Sequence, residues 1–178
     1  ATMFRIKSWP GQLLRGGCVV GAAFMFVLAL RYLSLTDAVT ISFAGPLFVT
    51  LLAPMMLGER VGWRRWLAVG AGFIGVAIIM QPTSTAFQWA ALLPLSASVM
   101  SSLRDIVTRK LSASESSVSV LFVTTLLVVV AGFATWPFVD WVALDRKQAL
   151  LLVGAGFLNG FAHFLFIEAF RQGEAALI

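Results

Sequence analysis

Between Asp37 and Glu59 the chain carries no charge, and this uncharged run, residues 38–58, is about the length a helix needs to cross ~30 Å of hydrocarbon. Ser34 and Asp37 stand before it in the S-x-x-D spacing that satisfies free N–H groups at a helix start. Gly58 can end the helix, and Glu59, Arg60, Arg64 and Arg65 follow where headgroups and water would lie. Pro46 and Pro54 fall inside the run; they read as kinks, which a membrane bundle tolerates. The same pattern predicts five more spans. The first covers residues 13–33, with Arg15 and Arg31 snorkelling outwards from its ends. Residues 66–103 are also uncharged, too long for one crossing, and Gln81-Pro82-Thr83-Ser84-Thr85 divides them into spans at 66–80 and 87–103. Two more follow at 116–139, bordered by Trp136 and Trp141, and at 149–170. Residues 1–12, 104–117 and 140–148 read as polar or interfacial connections, Trp9 lying at headgroup depth.

Composition sharpens this into a class. With 60% hydrophobic residues, 12% charged and a mean hydropathy of +0.93, the chain lies outside the soluble range, where about a quarter of residues are charged. The expected fold class is an all-α integral membrane protein, a polytopic helix bundle with six complete spans. The net charge of +5 does not imply nucleic acid, because the basic residues are scattered in ones to threes between apolar spans. Counted over alternate loops, ten Lys and Arg fall on one side and three on the other, which places the N-terminal loop in the cytoplasm. Cys18 is the sole cysteine and reads as a small packing residue. The chain opens at Ala1 and stops at Ile178 as another apolar run begins, so it reads as an interior piece of a longer protein.

A shift of 140 residues lays the first span on the sixth, pairing Gly16 with Gly156, Ala22 with Ala162, Phe24 with Phe164, Phe26 with Phe166, Ala29 with Ala169 and Arg31 with Arg171. The two copies run in opposite directions across the membrane. An odd number of spans per repeat produces that inversion, as in many secondary transporters.

Local wording then resembles the drug/metabolite transporter superfamily of EamA type. The residues that carry the resemblance are Ala29-Leu30-Arg31-Tyr32, Pro46, Leu57-Gly58-Glu59-Arg60, the glycine-rich stretch from Gly70 to Gly75, and Ala169-Phe170-Arg171. The resemblance implies a ten-helix carrier built from two inverted five-helix repeats. This chain would cover family helices three to eight and the start of nine, residues 1–82 belonging to the first repeat and 83–178 to the second. It further implies a bacterial cytoplasmic (inner) membrane carrier of a small organic metabolite, amino-acid-, vitamin- or nucleoside-like, working by alternating access as a secondary active transporter. The stretch Ile41-Ser42-Phe43-Ala44-Gly45-Pro46 is similar to a branch with riboflavin and S-adenosylmethionine carriers. The implied partners are a small-molecule substrate and the lipid bilayer, with no nucleic acid and no cofactor; a homodimer is compatible with this reading.

Two stripes of small or polar residues suggest where a substrate could sit. Ser42, Gly45, Val49 and Ala53 recur at helical spacing beside Pro46, and Pro94, Ser98, Ser101 or Ser102, and Asp105 do so later in the chain. Such serines either bond their own helix carbonyls or line a cavity. Asn159 and His163, four apart on one face of the sixth span, either pack against a neighbouring helix or face the site, since polar groups at mid-membrane depth are expensive. The expected substrate site joins Phe24, Ser42, Gly45, Pro46, Ser98, Asn159 and His163, with Trp136 as further aromatic surface and His163 as the candidate for proton coupling. Other spacings read as structural. Gly17-x-x-x-Gly21, Ala71-x-x-x-Gly75 and Gly156-x-x-x-Gly160 are expected to let helices approach closely, Glu59 to lie in a solvated border cluster, and Asp105 to pair with Arg109.

Two rival classes stay open, a non-transporting membrane subunit and an intramembrane enzyme. The second has little to work with. No Asp or Glu lies centrally in any predicted span, no Gly-x-Ser-x-Gly accompanies His163, and no metal set is present.

Overall fold

In the computed structural model, residues 6–58, 62–79, 89–138 and 143–172 are described. Helices run along the chain in the order α1 (Trp9–Ala29), α2 (Leu35–Ser42), α3 (Gly45–Leu57), α4 (Trp63–Ile79), α5 (Leu92–Ser112), α6 (Ser117–Ala134), a 3₁₀ turn (Trp136–Phe138) and α7 (Arg146–Gln172). Among the described residues there is no strand, and the fold is the all-α membrane bundle expected. Among the described residues, four stretches are long and apolar enough to cross a bilayer: Trp9–Ala29, Leu35–Leu57, Ser117–Phe138 and Arg146–Phe170. The third and fourth predicted spans correspond to α4, described over 17 residues, and to α5, a 21-residue helix with charges in its second half.

Helix ends follow local chemistry. Ser34 Oγ accepts the Asp37 amide at 3.1 Å and donates to Asp37 Oδ2 at 2.7 Å, closing the start of α2. Gly58 ends α3 at φ 70°, a left-handed conformation that glycine adopts without steric cost. The first helix begins earlier than expected, because Ser8 caps it and Pro10 sits in its first turn, where a missing N–H loses nothing. Trp9 is therefore helical rather than part of a loop. Glu59, Arg60, Trp141 and the break at 81–85 lie outside the described residues.

The order of layers departs from the apolar-inside rule of soluble proteins. At the centre stands α5, packed on by α1, α2, α3, α6 and α7, with Ser98, Ser102, Thr108 and Ser112 buried along it. Residues 104–112 are thus helical, not a loop. A helix enclosed by protein has no lipid contact to satisfy, so its outer surface can be polar. Apolar clusters close both ends of the interface. One joins Ala29, Leu33, Ile41, Ala90 and Ala91, and the other Val107, Leu111, Val120 and Ile167. Cys18 is buried in α1 as a packing residue.

Of the glycines the spacing suggested, Gly21 carries close helix approach, and Gly16 and Gly72 carry it where no spacing pointed. A Cβ on Gly16 would stand 2.2 Å from Leu127 Cδ1, one on Gly21 2.7 Å from Met100 Sδ, and one on Gly72 2.6 Å from Leu47 Cδ2. Gly17, Gly75, Gly156 and Gly160 have open space there. Spacing of four marks a smooth helix face, but which neighbour covers it is a tertiary matter.

Candidate functional site

The second predicted span is not one kinked helix. It is two helices meeting at Phe43–Ala44, and Pro46 heads the second of them. Pro46 has no N–H to offer the Ser42 carbonyl, which is left to be satisfied from elsewhere. Two serines of α5 reach across to this junction. The Ser98 hydroxyl is shared between Pro94 O at 2.8 Å and Ser42 O at 3.3 Å, and that of Ser102 between Ser98 O at 2.8 Å and Gly45 O at 2.9 Å. The same hydroxyls thus bond their own helix and reach across to the broken one.

Two cavities open beside this junction. The first, about 320 Å³, is lined by Gly45, Pro46, Thr50, Ser102, Asp105 and Phe166 among others. The second, about 350 Å³, is lined by Ala22, Phe26, Ser42, Ala97 and Ser98 among others. Ser101 and Arg104 border both, so the two spaces lie on either side of one stretch of α5. Arg104 Nη2 and Nε both reach Asp105 Oδ1 at 2.7 Å, and the guanidinium lies 5.7 Å from the centroid of the Phe166 ring. Phe166 and Phe170 meet edge to face at 4.7 Å. The walls therefore offer one cation, one anion, hydroxyls and aromatic faces within a mostly apolar space.

Of the expected site residues, the structure brings Ser42, Gly45, Pro46 and Ser98 to this junction. Phe24 lines a third, apolar cavity of about 470 Å³ with Ala131, Ala134, Thr135 and Phe138, and Trp136 is exposed in the 3₁₀ turn. Asn159 is exposed and His163 half-buried on α7, and neither borders the two joined cavities.

Three charged residues are placed differently from their sequence reading. Arg15 does not snorkel. It is 1% exposed, its Nε donating to Thr108 Oγ1 at 2.8 Å and its Nη1 to Thr124 Oγ1. Those threonines in turn donate to Arg104 O at 2.6 Å and Val120 O at 2.8 Å. An arginine so near an apolar run resembles a border residue, and only the hydroxyls facing it from α5 and α6 make burial affordable. Asp105 pairs with Arg104 rather than Arg109, because Arg109 donates to the carbonyl of Phe170 on α7. The third, Arg104, looked like the start of a loop. Its place one helical turn beyond Ser101 on the serine stripe was the available signal.

Residues 2–81 match the EamA-like transporter family. Among curated proteins the chain is 30% identical to a riboflavin transporter of Vibrio cholerae over 98% of its own length and 59% of the relative's. It is 32% identical to a riboflavin transporter of Rhizobium johnstonii over 86% of the chain and 51% of that protein. It is also 27% identical to an S-adenosylmethionine uptake transporter of Rickettsia prowazekii over 92% and 55%. The chain thus spans a little over half the length of these relatives. No solved structure matches it. Through the segment at 2–81 and this kinship along nearly all of its length, the chain belongs to the EamA-like transporter family.

Proposed function

We propose that this chain is the central part of a carrier for a small organic metabolite, working by alternating access in the bacterial inner membrane with its N-terminal loop in the cytoplasm. Residues 1–82 and 83–178 would be the portions of two inverted repeats, and the substrate would sit between them. The observation that carries this reading is the broken helix α2–α3, whose Ser42 and Gly45 carbonyls are held by α5 serines beside two cavities that share Ser101 and Arg104. Discontinuous helices at a repeat interface are a common substrate site in secondary transporters. Arg104 and Asp105 supply both signs of charge, and Phe166 and Phe170 supply ring surface. A heteroaromatic or zwitterionic metabolite matches those walls, and the named relatives carry riboflavin and S-adenosylmethionine. In this assignment Asn159 and His163 are outside the primary pocket, and proton coupling by His163 is a separate proposal.

The test is uptake of labelled riboflavin and S-adenosylmethionine by proteoliposomes of the full-length protein. Arg104→Gln is expected to lower the uptake rate at least tenfold at unchanged protein level, whereas Asn159→Ala should leave it within a factor of about two. Normal uptake by Arg104→Gln would remove the α5 cavities from the substrate path, and absence of any transport by the wild type would favour a non-transporting subunit.

A further inference from the structure

All the buried side-chain nitrogens and oxygens that lack a hydrogen-bond partner among the described residues belong to one junction. They are Gln12 Oε1 and Nε2, Glu115 Oε2 and Ser119 Oγ, on residues that are 0%, 4% and 1% exposed. Hydrogen bonds in the backbone set their register. Glu115 Oε1 accepts the amides of Lys7 and Ser8, each at 2.7 Å. Gln12 stands one turn along α1, its amide bonded to Ser8 O at 3.1 Å. Ser119 stands one turn into α6, its amide bonded to the N-cap hydroxyl of Ser116 at 3.1 Å. The start of α1, the α5–α6 turn and the first turn of α6 therefore meet at one end of the bundle. Ser119 also differs from its neighbours in kind. Ser98, Ser102, Ser112, Thr108 and Thr124 each donate to a carbonyl of their own helix, and the Ser119 hydroxyl does not.

The chemistry of the four atoms narrows what they hold. Glu115 Oε2 and Gln12 Oε1 accept, Gln12 Nε2 donates, and the Ser119 hydroxyl does both. A bare cation would satisfy the oxygens but leave Nε2 facing a like-signed charge, and the buried guanidinium of Arg15 lies one turn further along α1. Water donates and accepts, and buried water typically makes two to four such bonds to groups of this sort, at about three each.

We propose that Gln12, Glu115 and Ser119 enclose an internal-water site that joins the N-terminal half of the chain to the C-terminal half. Farther along α1 the same two halves pack directly on one another, Gly16 against Leu127 and Gly21 against Met100. Parting the hydrated end exchanges bound water for bulk water, so it is the end at which α1 separates from α5 and α6 most readily. That consequence rests on the carrier reading; the water site does not.

Radiolytic hydroxyl-radical footprinting of the full-length protein in nanodiscs tests the site, because ordered internal water labels the side chains beside it however buried they are. Leu111 and Val120 should be labelled several times faster than Ile106, which is equally buried or nearly so. Gln12→Leu should remove that excess. Ser119→Ala should lower it as well, and serves alone if Gln12→Leu does not fold. Rates at Leu111 and Val120 no faster than at Ile106 would overturn the proposal. So would labelling that falls on replacing choline with sodium, which would assign the site to a cation.

Discussion

Helices α5 and α7 are built from opposite materials and occupy opposite places. α5 carries serines, a threonine, two arginines, a lysine and an aspartate, yet five other helices pack around it. α7 is apolar along most of its 27 residues, yet only 6% of its membrane-length stretch is buried. In water the apolar helix would be driven inside, because burying it gains ~25 cal/mol per Å². In lipid that gain vanishes, since the surroundings are as apolar as leucine. What then favours an interior place is polarity that lipid cannot satisfy and glycine that lets backbones approach. α5 has the first and α1 the second.

The largest effect should come from the buried cation that α5 and α6 hold. Arg15 is satisfied by Thr108 and Thr124, so the double change Thr108→Val, Thr124→Val leaves an arginine enclosed without its acceptors. A stranded buried charge costs ~3–5 kcal/mol. The full-length double variant should lose most of its folded population in a denaturing-detergent titration. Adding Arg15→Met should restore much of it, because the charge is then gone. If Arg15→Met rescues nothing, the penalty arises from packing and not from charge.

Next comes the glycine seam. Even a methyl group at Gly16 would stand 2.2 Å from Leu127 Cδ1, and over-packing of this kind costs ~1–3 kcal/mol. Gly16→Val should therefore destabilise the protein by that amount and Leu127→Ala should relieve it in part, while Gly156→Val on α7, where no neighbour stands within 4 Å, should be close to neutral. Equal losses at 16 and 156 would show that α7 is as tightly covered as α1.

These two cases mark where sequence stopped being a sufficient guide. Uncharged run length located the helices, since the cost of an unpaired backbone in lipid leaves few other solutions. Ser34 and Gly58 were legible as helix ends because caps are local, set by residues within one turn. Three things were not local. The α2–α3 break looked like a kink because Pro46 is compatible with either, and only the α5 hydroxyls facing Ser42 and Gly45 decide between them. Arg15 looked like a border residue because its acceptors lie 93 and 109 positions away. The glycines at 17 and 21 have ideal spacing, yet it is Gly16 and Gly21 that meet Leu127 and Met100. For the candidate site, the serine stripe on α5 was readable and extended naturally to Ser101 and Arg104, but the charge at 104 suggested the end of a span and drew attention to α7 instead.

A smaller effect is expected at the broken helix. Ser102 donates to Gly45 O across the interface and to Ser98 O within α5. Interhelical hydrogen bonds in membranes average only ~0.6 kcal/mol, so Ser102→Ala should lower stability by about that much. Its larger consequence should be on transport, since Ser102 and Gly45 both line the 320 Å³ cavity and losing the bond between them alters its wall. Uptake affinity should change more than folded yield. The reverse ranking, with yield falling and affinity kept, would make the α5 serines scaffold and not site.

The smallest effect should be at Asn159, and it bears most directly on what covers α7. The side chain is exposed, in a stretch where Leu158 is 67% and Phe157 75% exposed. If that face meets only lipid, Asn159→Leu replaces an amide in hydrocarbon with a residue that suits it. Stability should then rise slightly, within the ~0.5 kcal/mol typical of surface changes, and uptake should be unaltered. If another helix of the full-length protein lies there, the amide has a partner and the same change should lower stability by an amount comparable to Ser102→Ala. A detergent-titration midpoint for Asn159→Leu beside Ser102→Ala measures both on one scale, and its sign decides between lipid and protein as the neighbour of α7.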